Sequence, residues 1–108
     1  MSSRGAHNNR IFTDMRLIRR TVEALIDQSR FRIQPHARTA HQQFSDSDRL
    51  AVVRWGGRDA PDKARPLSDG VYVCWATHPI HGLCRAAYAV EQTSVGEVLV
   101  VITVLPEE

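Results

Sequence analysis

Three apolar runs near the end of the chain, Val71 to Thr77, Cys84 to Val90 and Val98 to Leu105, are separated by two turn-like segments. This pattern constrains the fold more than any other feature. Runs of seven or eight residues rich in Val, Ile, Thr and aromatics, punctuated at that spacing, read as three antiparallel strands joined by tight turns. If Pro79-Ile80-His81-Gly82 is the first turn, Thr77 pairs with Cys84, Trp75 with Ala86, Val73 with Tyr88 and Val71 with Val90. The opposite face then collects Tyr72, Cys74, Ala76, Arg85, Ala87, Ala89 and Glu91. In the last run both alternating sets are apolar. That is the pattern of a central strand covered on both sides.

The preceding residues supply helices to pack on such a meander. Residues 1 to 12 are polar and read as a frayed terminus. From Thr13 or Asp14 to about Gln28, Met15, Ile18, Val22, Leu25 and Ile26 recur at three- and four-residue spacing, one stripe of an amphipathic helix. Thr13 is a candidate N-cap, and Asp14 complements the helix dipole. Phe31-Arg32-Ile33-Gln34 alternates as a half-buried strand, which Pro35 ends or confines to an edge. A short helix-like piece follows through Gln43. Ser45 and Asp48 then form a capping box that opens another helix, with Leu50 and Val53 inward and Gly56-Gly57 as its close. Arg58 to Gly70, with Pro61 and Pro66, reads as a long loop. The expected architecture is a single α+β domain over residues 13–108: an N-terminal helix, an edge strand, short helices, then a three-stranded antiparallel meander.

Composition bounds the function classes. A chain of 108 residues with 43% apolar and 24% charged residues holds one core and is neither fibrous nor broadly disordered. No apolar run approaches the roughly 20 residues that span a bilayer, so no membrane partner is expected. The N-terminus lacks the apolar core of a secretory signal, and the expected location is the cytoplasm. The formal charge of +2 is too small to define a nucleic-acid binder, but the arginines crowd into the N-terminal half.

Three constellations carry candidate chemistry. The spacing Cys74-x3-His78-x2-His81-x2-Cys84 places two thiols and two imidazoles in eleven residues, a donor set suited to zinc. The register above works against it, because it sets the two sulfurs on opposite faces. Buried free thiols are the simpler reading. His36, Arg38 and His41 stand where a strand gives way to a helix. With Arg85 or Tyr88 from across the sheet, they could serve as base, acid and phosphate clamp in RNA cleavage that needs no metal or other cofactor. Equally, His36 could simply fix the strand–helix junction. Arg16, Arg19 and Arg20 share one helix face and, with Arg32, could contact phosphates without reading sequence; a solvated charged face explains them as well.

The run Ile33-Gln34-Pro35-His36-Ala37-Arg38, the Phe44-Ser45-Asp46-Ser47-Asp48 helix start and the closing Val100-Val101-Ile102-Thr103-Val104 together resemble a domain family of unknown function related to the BrnT and RelE type toxins. That family carries a strand-"HA-R" motif and a closing "vITvy"-like strand. The resemblance covers about residues 31 to 105. It implies a compact domain with helices on one antiparallel sheet. It further implies a ribonuclease, often ribosome-dependent, held inactive by an antitoxin protein, with His36 and Arg38 matching the motif. Many relatives carry a second Arg where Gln42 and Gln43 precede Phe44. This departure keeps open a non-enzymatic module that binds a protein or nucleic-acid partner, as well as a zinc-binding hairpin. An open edge at Phe31 to Gln34 would also suit a homodimer or an antitoxin strand.

Overall fold

The computed structural model describes residues 8–59, 65–68 and 70–107. In chain order the elements are helix α1 (Met15–Asp27), strand β1 (Phe31–Ile33), helices α2 (Pro35–Ala40) and α3 (Asp46–Asp59), and strands β2 (Arg65–Ser68), β3 (Val71–His78), β4 (Gly82–Thr93) and β5 (Gly96–Pro106). The strands form one sheet in the order β1-β5-β4-β3-β2. β1 runs parallel to β5 and every other neighbouring pair is antiparallel. The fold is therefore mixed α+β. No helix among the described residues is long and apolar enough to cross a membrane.

The helices form where the sequence directs them. α1 buries Ile18, Val22 and Leu25, with Met15 and Ile26 packed beside them, and its cap is Asp14 rather than Thr13: the Asp14 carboxylate accepts the Arg16 N–H. Pro35, expected to end the strand, does so by starting α2 at its first turn, where a missing N–H costs nothing. Ser45 and Asp48 make the reciprocal capping box, with the Asp48 N–H donating to Ser45 Oγ and the Ser45 N–H donating to Asp48 Oδ2.

Four expectations need correction. Gly56 does not close a helix; α3 runs on to Asp59, and Gly56 is a point of contact where a Cβ would collide with the Cys74 side chain. The stretch read as a loop contains β2, which pairs with β3; residues 60–64 and 69 lie outside the described residues. Of the terminus expected to fray, residues 1–7 are likewise outside, but Asn9 bridges to Glu91 and Phe12 is buried, its N–H donating to the Tyr72 hydroxyl. The fourth correction is the register of the β3–β4 hairpin. His78 pairs with Gly82, Ala76 with Cys84, Cys74 with Ala86 and Tyr72 with Tyr88. The turn is one residue shorter than expected, with Gly82 at φ +74° and the N–H groups of Ile80 and His81 donating to His78 Nδ1. A one-residue slip exchanges faces.

The faces are consequently regrouped. Tyr72, Cys74, Ala76, Cys84, Ala86, Tyr88, Val90, Leu99, Val101 and Val104 join the helix residues Ile18, Val22, Leu25, Ala37, Val52 and Val53 in one core. The other face carries Val71, Val73, Trp75, Ala87, Ala89, Val98, Val100 and Ile102. Val73, Ala87, Ala89 and Val100 are buried on this face as well, yet none of them belongs to that core. β5 is interior, between β1 and β4, as its two apolar faces suggest. Among the described residues helices cover only one of those faces; on the other, Val98 and Ile102 remain partly exposed.

Candidate functional site

The RNA-cleaving constellation does not assemble. His36 is exposed in the first turn of α2. Arg38 is spoken for: its guanidinium donates to both Asp46 oxygens, at 3.2 and 2.9 Å. Arg49, only 3% exposed, donates to Asp46 Oδ1 at 2.9 Å and to the carbonyl of His41 at 3.0 Å. The pair of arginines on one carboxylate ties α2 to α3, and Ala37 between them is fully buried. Tyr88 lies inside the core, where burial pushes its hydroxyl well above the ordinary tyrosine range. Arg85 projects from the opposite face beside Glu107, 3.7 Å away. These five groups are thus spread over three surroundings. The arginines read as phosphate contacts also separate. Arg16, Arg19 and Arg20 line a depression of about 310 Å³ on α1 together with Asp14, whereas Arg32 sits on the outward sheet face against Glu91 at 3.3 Å.

What the fold does bring together is Asp48 with His78 and His81. His78 Nε2 lies 3.0 Å from Asp48 Oδ1, and His81 Nε2 lies 3.0 Å from Oδ2. The donor atoms of all three lie within 4.8 Å of one another, the right composition for a divalent metal. Aromatic rings close around them: Phe44 against His81 at 4.5 Å, His81 against His78 at 4.7 Å and Trp55 against His78 at 6.0 Å. Sequence reading found Asp48 as a cap and the histidines as zinc candidates, but nothing in the spacing joined residues 30 or more positions apart.

The proton inventory decides what this cluster is. His78 Nδ1 accepts the N–H of Ile80 at 3.0 Å and of His81 at 3.4 Å, so it carries no proton. The neutral ring must then hold its proton on Nε2 and donate it to Asp48. A metal at Nε2 needs the lone pair there and the proton on Nδ1, facing two backbone donors. The cluster is therefore a clasp between the β3–β4 turn and the start of α3, and not a preformed metal centre. The cysteines do not complete one. The corrected register puts Cys74 and Cys84 on the same face, but Cys74 packs on Gly56 and Val52 of α3 and burial pushes its thiol up to about 12. Burial, and the Asp48 charge after it, raises Cys84 as well. Protonated thiols are poor ligands. Asp48 itself is held at about 2, first by the Ser45 N–H and then by the His81 side chain and the Ser45 hydroxyl.

The remaining candidate is the outward sheet face. Ala89 and Val100 floor a groove of about 230 Å³ there, flanked by Val71 and Ile102 and closed at one end by Asn9, Arg32, Gln34 and Glu91. Compared with protein-family models, with curated proteins and with solved structures, the chain matches none.

Proposed function

We propose that the chain is a binding module and that its outward sheet face holds a protein partner. One observation carries the reading: β5 is apolar on both faces and interior to the sheet, but among the described residues no helix covers its outward side. A sheet face wetted on one side ordinarily alternates apolar and polar. Here Val71, Trp75, Val98 and Ile102 are partly exposed on that side, around the buried Val73 and Val100. Contiguous apolar surface with a polar rim is the signature of an interaction site. The rim groups are ion pairs, Arg32 with Glu91 and Arg85 with Glu107, suited to register and not to acid–base work. His36, His41 and Tyr88 contribute nothing to this face, which favours binding over catalysis.

A photo-crosslinking residue placed at Ile102 tests the proposal, with the same residue at exposed Ala24 on α1 as the comparison. Irradiation of cells is expected to yield a discrete protein adduct from position 102 and none from position 24. Absence of any adduct at 102, with soluble folded protein present, would sink the binding-module reading.

A further inference from the structure

We infer that the depression on α1 binds a small phosphate monoester with a hydroxylated organic part, such as a sugar phosphate; this site is separate from the outward sheet face and does not depend on it. The helix carries its charges in the reverse of the order its dipole favours. Arg16, Arg19 and Arg20 occupy the N-terminal half, and Glu23 and Asp27 follow. Asp14 caps the helix, but no acid follows it in the first turn and no base stands in the last. Arg16 is also three and four residues from Arg19 and Arg20, so like charges are neighbours. Departures from local rules of this kind concentrate at functional positions. Relief within the chain is small. Asp14 lies 3.6 Å from Arg16, whose side chain is 81% exposed, and the exposed Arg20 makes no ion pair among the described residues.

Side chains, and not the helix terminus, make this site. Asp14 already accepts the first N–H groups, that of Arg16 at its carboxylate and those of Leu17 and Ile18 at its carbonyl. The three guanidinium groups line a depression of about 310 Å³ together with the Asp14 carboxylate. Three cations against one carboxylate leave two positive charges. A phosphate monoester, with nearly two negative charges and three acceptor oxygens, matches that excess in number and in geometry. A carboxylate or a phosphodiester would leave one charge over. Glu23 and Asp27 limit the ligand's length, because at 3.6 residues per turn they stand on the arginine side of α1, about one and two turns on. A phosphodiester strand laid along the helix would meet both acids. Towards the other end, Arg10 is committed to Glu97 at 2.8 Å. The ligand is therefore compact. All four lining side chains are charged, so the walls offer no ring to stack a base and no apolar surface to hold an acyl chain. On the order of ten water volumes are available, room for the phosphate and a short polyol.

Isothermal titration of the full chain with glucose 6-phosphate, in about 50 mM salt, tests the inference. Saturation at one site is expected, with a Kd of about 1 mM or below that weakens as salt is raised. Arg16→Ala and Arg20→Ala should each weaken binding about tenfold. Both side chains are exposed, so the variants should keep the fold, and ligand-free Arg20→Ala should unfold no earlier than the wild type because a like charge has gone. Glucose 6-sulfate, one charge poorer, should bind at least about tenfold more weakly. A wild type that shows no saturation by about 10 mM glucose 6-phosphate, or alanine variants that bind as the wild type does, would overturn the inference. Equal affinity for the sulfate ester would overturn it too. So would tighter, Arg20-dependent binding of an oligothymidylate or of phosphatidic acid vesicles, which would assign the arginines to a polymer or a lipid surface.

Discussion

Replacing Asp48 with alanine should be the most damaging single change at the polar end of this fold, lowering stability by roughly 3–5 kcal/mol. Three donors lose their acceptor at once: the Ser45 N–H, the His78 Nε2–H and the His81 Nε2–H. A lost cap accounts for about 1 kcal/mol, and each half-buried donor deprived of a charged acceptor for about 1.5 kcal/mol or more. Thermal unfolding should fall by something on the order of 15–20 °C for a domain of this size. The same group predicts an acid transition. Its carboxyl is depressed from 3.8 to about 2 in the folded chain, so the stabilisation it gives is fully present above the ordinary carboxylate value and is lost as pH falls through about 2. Circular dichroism of wild type and Asp48→Ala between neutral pH and pH 2 checks both points. The variant should show a shallower acid dependence than the wild type. Equal thermal stability of the two proteins at neutral pH would mean the clasp stabilises nothing.

Gly56→Ala is expected to destabilise by about 1–3 kcal/mol, with the opposite sign from an ordinary helical glycine. In open space within a helix, alanine is favoured over glycine by about 1 kcal/mol. At Gly56 the added methyl would run into the Cys74 Sγ and Cβ, and both sit in a core with no slack, Cys74 being fully buried. α3 must therefore lift from β3, along the most extensive helix–sheet contact. Cys74→Ala removes the sulfur and should recover part of the loss, giving a coupling energy in a double-mutant cycle by denaturant unfolding. Additive effects, or a stabilised Gly56→Ala, would contradict the close approach of α3 to β3.

The elements that sequence alone disclosed are those set by local chemistry. The Ile18, Val22 and Leu25 stripe needs only helical periodicity, and the Ser45–Asp48 box closes within one turn. Pro35 announces the end of β1. What escaped depends on groups far apart in the chain. The hairpin register turned on whether Gly82 belongs to the turn or the strand, and His78, by accepting two turn N–H groups, is part of what settles it. That one-residue difference moved Tyr72, Cys74 and Ala76 to the helix face and left Val71, Val73 and Trp75 outward. It also reversed the ground on which zinc had been set aside, while the tautomer of His78 supplied a different one. Phe12 looked like part of a frayed end because its partner, the Tyr72 hydroxyl, lies 60 residues on. The His36-Ala37-Arg38 run was legible as a junction, but Arg38 proved to be engaged by Asp46, and buried Arg49 completes that joint. The outward face was half visible: the double apolar alternation of Val98 to Leu105 asked for cover on two sides, and the described helices supply one.

The partial exposure of Val98 and Ile102 on this second side is directly measurable by methyl NMR with an inert soluble gadolinium chelate. In a dilute sample the methyls of Val98 and Ile102 should broaden strongly, while those of Val101 and Val104, on the helix side of the same strand, stay sharp. Uniform protection of both sets at high dilution would show that the face is already covered within one chain, and the account of its function would fall with it.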